Sequence, residues 1–167
     1  MEDKTIVLQS KQIQQKIQRI AFEILEHHHA EQAFVFIGIK GNGSELAKRL
    51  SEQVKNIVNC DILIGEVTVF KAAPQTQEVH LSVSAEQLKN KIVILIDDVL
   101  NSGATMQYAL VKILGQPVKS IKTVALVDRK HRRFPIRCDY VGLTLSTTLQ
   151  DRIEVEMKSG EEIAYLV

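Results

Sequence analysis

No apolar run in this 167-residue chain comes near the roughly 20 residues of a membrane-spanning helix, so no membrane association is expected. An apolar signal-peptide core is missing too, because charged and Gln residues fill positions 2–19. Cysteine is scarce. Cys60 and Cys138 stand alone, form no C-x-x-C pair, and lie in apolar, strand-like contexts. That usage excludes a disulfide scaffold and points to buried free thiols in a reducing, cytoplasmic setting. Charge of one sign is lacking as well: the net charge is +1, which excludes a general affinity for nucleic acid and leaves only a local patch to supply one. There is no internal repeat, low-complexity tract or linker. What remains is 45% apolar residues, enough to build a core for one domain over residues 1–167.

Hydrophobic periodicity divides the chain into alternating strands and helices. Ser10 is placed to cap a helix whose inward stripe is Ile13, Ile17, Ile20, Ala21, Ile24 and Leu25, fraying near His27–His29. Phe34–Ile39 reads as a buried strand, and Lys40-Gly41-Asn42-Gly43 as the turn before a helix capped by Ser44. Strands are expected over Asp61–Phe70 and Val79–Val83, with a loop over residues 71–78 between them. Further strands are expected from Ile92, over Ser120–Val127 and over Tyr140–Leu143, and a ribbon is expected to pair Ile153–Met157 with Ile163–Val167. Strands alternating with helices predict an α/β fold, a doubly wound, mainly parallel sheet flanked by helices.

The densest signal is Lys91–Thr105. An unbroken apolar run, Ile92–Ile96, is closed by Asp97-Asp98, followed by Val99-Leu100 and the turn Asn101-Ser102-Gly103-Ala104-Thr105, after which a helical pattern begins at Met106. In open parallel sheets, ligands bind beyond the carboxyl ends of the strands. A helix N-terminus there offers unpaired N–H groups and a positive dipole end to a phosphate. The hydroxyls of Ser102 and Thr105 add donors, and Gly103 lets the backbone approach. The carboxylates would repel a phosphate but suit sugar hydroxyls, directly or through a divalent cation. An acidic strand end of the receiver-domain kind is the competing reading, although such domains do not follow the acidic pair with a Ser-Gly-Ala-Thr turn.

This segment resembles the phosphoribosyl pyrophosphate (PRPP) signature of type I phosphoribosyltransferases. A wider set of residues resembles the pyrimidine operon regulator branch of that family: Arg19-Ile20-Ala21, Gly38-Ile39-Lys40, Leu46–Leu50, Gly65-Glu66, Leu126–Arg129, His131-Arg132 and Pro135–Arg137. The likeness runs from about residue 5 to about residue 157. It implies that Asp97 and Asp98 hold the ribose hydroxyls and, through Mg²⁺-bound PRPP, a metal ion indirectly. It further implies that Asn101, Ser102, Gly103, Ala104 and Thr105 wrap the 5′-phosphate, and that Lys40, Gly41 and Asn42 meet the pyrophosphate, with Lys40 in a catalytic role. The resemblance also implies that Val127, Asp128 and Arg129 meet the base. Asn101 stands where purine-specific members carry an Asp; an amide is no general base near neutral pH, which favours a pyrimidine or no base chemistry.

Three positions depart from the family. Ala104 replaces a common Lys or Arg, Asn42 replaces a basic residue, and the 70–77 segment carries Lys71 as its one charge where the family has a catalytic loop. The resemblance therefore implies conversion of PRPP and uracil to UMP and pyrophosphate with Mg²⁺, and the three departures predict weakened phosphate and leaving-group contacts. A second reading is a UMP- or PRPP-sensing regulator that binds a pyrimidine-operon mRNA leader. For that reading the relevant residues are Arg19, His131, Arg132 and Arg137, in a chain where five of the nine residues 129–137 are Lys or Arg. A solvated basic loop is the plainer account of that run. A homodimer or higher homo-oligomer is expected from the resemblance alone. His27-His28-His29 is read as an exposed helix end, since successive helical residues lie about 100° apart and cannot converge on one ion.

Overall fold

The computed structural model describes residues 4–167. In chain order its elements are β1 (Thr5–Leu8), α1 (Ser10–His27), β2 (Ala33–Ile39), α2 (Asn42–Ile57), β3 (Asp61–Thr68), a 3₁₀ turn (Pro74–Thr76), β4 (His80–Leu81), α3 (Ala85–Leu88), β5 (Ile92–Leu100), α4 (Ala104–Leu114), β6 (Ser120–Asp128), β7 (Tyr140–Thr144), β8 (Ile153–Glu156) and β9 (Ile163–Leu166). Six strands form one sheet in the order β4-β3-β2-β5-β6-β7. Every pairing in it is parallel except that of β4, which runs antiparallel on the outer edge of β3.

The central strands are apolar throughout because both faces are covered. On β5, Ile92, Ile94 and Ile96 join Ile13, Ile17, Ile20 and Ile24 of α1 and Leu46, Leu50 and Val54 of α2 in one core. Val93 and Leu95 point the other way, into a second core with Met106, Ala109 and Ile113 of α4. Chain order reverses between β2 and β5: α2 carries the chain outward to β3, and α4 carries it the opposite way to β6. That reversal opens a crevice at the carboxyl ends of β2 and β5, the place where such sheets bind ligands.

The C-terminal ribbon forms as expected, and β1 adds to it, giving a small antiparallel sheet in the order β1-β9-β8. Ile153, Val155 and Ala164 of this sheet pack into the α1–α2 core. Arg49 of α2 pins it by donating to the Glu162 carboxylate and, at 2.7 Å, to the Met157 carbonyl. Burial works against the Glu162 carboxylate, but hydrogen bonds from Ser10, from the backbone N–H groups of Glu162 and Gly160, and from Arg49 outweigh it and bring its pKa to about 2.

Local details differ from the expectations where a tertiary partner outcompetes a local one. Ser10 does not cap α1; its hydroxyl donates to Glu162, and Gln9 and Gln12 form the capping box instead. Ser44 does not cap α2 either, because Gly41 is the N-cap and the Ser44 hydroxyl donates to Glu66 Oε2 at 2.6 Å. The expected strand at Val79–Val83 shrinks to two residues, and the short helix α3 follows with Ser84 as its cap. His27–His29 is not simply a frayed end, since His27 stacks on Tyr140 and sits 3.0 Å from its hydroxyl, while His28 is half-buried against Phe34. Both cysteines are free and only partly buried. No helix among the described residues is long and apolar enough to cross a membrane.

Candidate functional site

The crevice at the switch point collects the segments singled out above. Strand β5 does not stop at its acidic pair but pairs with β6 as far as Leu100. Alternation starts Asp97 and Asp98 toward opposite faces, yet at this strand end the two carboxyls stay close enough for their side chains to interact. Asp97 is 4% exposed, and its Oδ1 accepts from the Asp98 N–H at 2.9 Å. Burial raises its pKa well above the usual carboxylate range, the adjacent Asp98 charge adds to this, and Lys71, 3.9 Å away, opposes it. Lys71 thus reaches the site from the loop after β3, a link that no spacing along the chain reveals. Asp98 is half-buried; its Oδ1 accepts from the Val99 N–H and its Oδ2 from Asn42 Nδ2, each at 2.9 Å.

Two glycines let the elements close on these carboxylates. A Cβ at Gly43, in the first turn of α2, would lie 2.8 Å from the Ile96 carbonyl oxygen and 3.1 Å from Asp97 Oδ1, so only glycine lets this helix start press against β5. Gly103 has φ +87°, and a Cβ there would lie 2.5 Å from an Ile136 methyl. Its left-handed conformation turns the chain into α4, with the Ala104 N–H donating to Ser102 Oγ at 3.3 Å. A hollow of about 40 Å³ lies among Asp97 and residues 99–106, beside the α4 N-terminus. Asn101, Ser102, Gly103, Ala104 and Thr105 all line it, so the turn and the buried carboxylate share one surface.

Lys40 is exposed at the end of β2, its N–H donating to the Val67 carbonyl at 2.9 Å. Asn42, at the start of α2, is bonded within the protein. Its amide donates one hydrogen to Asp98 and the other to the Val155 carbonyl of β8 at 2.7 Å. The site is therefore tied to the C-terminal sheet, which the sequence reading left outside it.

The segment after β6 is also more internally bonded than a basic loop suggests. Val127 is fully buried between β5 and β7. Asp128 accepts from the Lys130 N–H at 2.8 Å and pairs with Arg132 at 2.5 Å. Arg129, 8% exposed, donates to Asn101 Oδ1, Thr147 Oγ1 and the Thr148 carbonyl. Arg132 also reaches the carbonyls of Asn101 at 2.7 Å and Ile136 at 2.9 Å. These two arginines hold the 101–105 turn rather than project into solvent. His131 meets the Thr147 carbonyl at 2.7 Å, and Arg19 donates to the carbonyls of Val141 and Gly142 on β7. The exposed cations of the loop are Lys130, Arg133 and Arg137. A cavity of about 430 Å³ opens here, lined by Asn101, Ser102, residues 129–133 and the exposed Leu149, within the size range of small-molecule sites.

Among the described residues no three His, Cys, Asp or Glu side chains gather into a metal cage. Two neighbouring carboxylates suit an ion that takes its other ligands from water and a bound phosphate, the habit of Mg²⁺. The crevice thus combines a buried acidic pair, a helix N-terminus with a hydroxyl-bearing turn, and an open cavity beyond it.

The phosphoribosyl transferase domain profile matches residues 4–158. The chain is 37% identical over 165 residues to the bifunctional protein pyrR of Enterococcus faecalis, spanning 95% of this chain and 92% of that protein. It is 34% identical over 172 residues to the bifunctional protein PyrR of Bacillus mycoides, spanning 97% and 95%. Among solved structures, the hypoxanthine phosphoribosyltransferase of Trypanosoma cruzi superposes with a TM-score of 0.74 at 17% identity, covering 89% of this chain and 84% of that one. A Staphylococcus aureus hypoxanthine phosphoribosyltransferase gives 0.71 at 21% identity, covering 84% and 77%. At such identities the structural likeness speaks for the fold.

Proposed function

The chain belongs to the phosphoribosyl transferase domain family, and on that premise we propose that it is a cytoplasmic enzyme transferring phosphoribosyl from PRPP to uracil, giving UMP and pyrophosphate. The observation that carries the reading is the shared surface of Asp97 with the Asn101–Thr105 turn at the switch-point crevice. In this reading Asp97 and Asp98 accept hydrogen bonds from the ribose hydroxyls, and the turn with the α4 N-terminus holds the 5′-phosphate. Lys40 and the Gly41 backbone face the pyrophosphate, with Lys40 lending positive charge to the leaving group. The base occupies the cavity beside Asp128 and Arg129 at the end of Val127, with Leu149 offering an apolar surface to its ring.

The C1–O bond to pyrophosphate breaks, a bond from C1 to the base nitrogen forms, and the proton released from that nitrogen passes to the departing pyrophosphate or to water. Positive charge develops on the ribose in between, so the carboxylates and the held leaving group act electrostatically. Mg²⁺, held indirectly by Asp97 and Asp98 through bound PRPP, would supply charge neutralisation on the leaving group. Asn101, whose amide oxygen accepts from Arg129 at 3.1 Å, stands where purine-specific members of the family carry an Asp, which favours a pyrimidine.

The test is pyrophosphate release from PRPP and Mg²⁺ with uracil, hypoxanthine, guanine, xanthine or orotate, using an Asp97→Asn/Asp98→Asn double variant as the blank. Turnover with uracil alone supports the reading, turnover with a purine moves the specificity, and turnover with none removes the enzyme.

A second role, binding of an mRNA leader, is favoured by the three exposed cations Lys130, Arg133 and Arg137 on one loop and by relatives named bifunctional. Of the residues first associated with it, Arg19 and Arg137 are exposed, Arg19 also donating to β7 carbonyls, whereas His131 and Arg132 are partly buried and internally bonded. RNA binding by this loop has a steep salt dependence, and replacing the three exposed cations with Ala flattens it by roughly 0.7–0.9 per lost phosphate contact. An unchanged slope would remove the loop from the interface.

A further inference from the structure

The amide of Asn42 touches both an acidic residue of the sheet and the C-terminal sheet. Its Nδ2 lies 2.9 Å from Asp98 Oδ2 and 2.7 Å from the Val155 carbonyl oxygen. Both neighbours are acceptors only, so the amide orientation is fixed: nitrogen faces them, and each of its hydrogens has one partner. Asp98 is thereby held from two sides, with the Val99 N–H on Oδ1 and Asn42 on Oδ2. Each carboxylate oxygen keeps a second lone pair for another donor. Asn42 itself stands on a fixed base, at the start of α2 after the Gly41 cap and beside the close Gly43–β5 contact. On the far side, the Val155 strand is anchored through Arg49, Glu162 and Met157.

We infer that Asn42 is a positioning residue, which fixes the Asp98 carboxylate for the ribose diol and makes the β8 strand part of the sugar site. This rests on the reading of Asp98 as a ribose ligand. A carboxylate free to rotate about its side-chain torsions presents two sp² oxygens in many directions, whereas one clamped at both oxygens presents its remaining lone pairs to a single volume. The cost of aligning it on ligand binding is then met during folding. It also gives Asn42 a function suited to an amide: a basic residue there would carry its charge to the carboxylate, whereas the amide orients it without neutralising it.

The experiment is a double-mutant cycle. Asn42→Ala, the near-isosteric Asn42→Asp, Asp98→Ala and Asn42→Ala/Asp98→Ala are compared for Mg²⁺–PRPP affinity by calorimetry and for unfolding free energy in urea. Loss of a hydrogen bond to a charged acceptor predicts that Asn42→Ala weakens PRPP binding about tenfold or more in the wild-type background. The same substitution should have little effect once Asp98 is Ala, with coupling also seen in unfolding. Asn42→Asp, which keeps the shape but places a second carboxylate against Asp98, should bind worse than Asn42→Ala. Wild-type affinity with additive single effects would overturn the positioning role and leave the ribose site standing. Failure of the wild-type chain to bind PRPP at all would overturn the ribose site and this inference together.

Discussion

Asp97 is the most informative residue to change, because the same substitution should improve the fold and damage the site. At 4% exposure its carboxylate has lost nearly all contact with water, its neighbour Asp98 carries the same charge, and Lys71 is a distant, half-exposed partner at 3.9 Å. Asp97→Asn keeps the volume and the acceptor for the Asp98 N–H while removing the charge. A half-exposed ion pair contributes about 0–1 kcal/mol, so little is lost by abandoning Lys71. Relief of the buried charge should leave a net gain of about 1–2 kcal/mol, the usual size for removing function-driven strain from a site. For a chain of this length that corresponds to a rise in Tm of about 2–8 °C.

The pH dependence has a definite sign. A carboxyl whose pKa is raised on folding destabilises the protein where it is ionised, and that penalty disappears as pH falls through the raised pKa. The gap between Asp97→Asn and wild type should therefore be widest at the alkaline end and shrink as pH falls through the raised pKa toward the ordinary Asp range. Differential scanning calorimetry between pH 7 and pH 4.5, paired with PRPP titration, reads both effects. A variant less stable than wild type at pH 7, or a gap that does not move with pH, would refute the account of Asp97 as a carboxyl strained by burial and held for a ligand.

Gly103→Ala must place an L side chain at φ +87° with its Cβ against an Ile136 methyl. The expected loss is about 2–4 kcal/mol, seen in urea unfolding, together with failure to bind inorganic phosphate at the turn. Arg129→Met removes three hydrogen bonds that join the turn to the 147–148 segment. A destabilisation of about 2 kcal/mol is expected, or about 4–8 °C in Tm. A Tm unchanged from wild type would show that these bonds are solvent-replaceable. Glu162, with its pKa depressed to about 2, contributes stability that is present above pH 4.5 and lost as pH falls toward 2. Glu162→Gln should cost about 1.5–3 kcal/mol at pH 7 and progressively less in acid, with equal losses at pH 7 and pH 2.5 contradicting that assignment.

By itself the sequence determined the order and type of the main elements. Continuous apolar runs such as Ile92–Ile96, and helical stripes such as Ile13-Ile17-Ile20-Ile24, are set by the solvent contrast between faces, and that contrast is written in near-neighbour spacing. It also placed the acidic pair, the Gly103 turn and the following helix in succession, because a left-handed residue before a helix start is a local demand. The small elements were less legible: β1, β4 and α3 span two to four residues each, too short for a period to appear. Only the tertiary structure decided which polar groups meet. Ser10 and Ser44 look like caps but are drawn to Glu162 and Glu66, and Arg129 and Arg132 look like solvated charge but are bound to carbonyls around the Asn101 turn. Asn42 finds Asp98 and Val155 across separations of 56 and 113 residues, and Lys71 finds Asp97 across the crevice. Hydrogen bonds and ion pairs act over a few ångströms and are indifferent to chain separation, so their partners are fixed by sheet order and register, which bring distant segments to one edge.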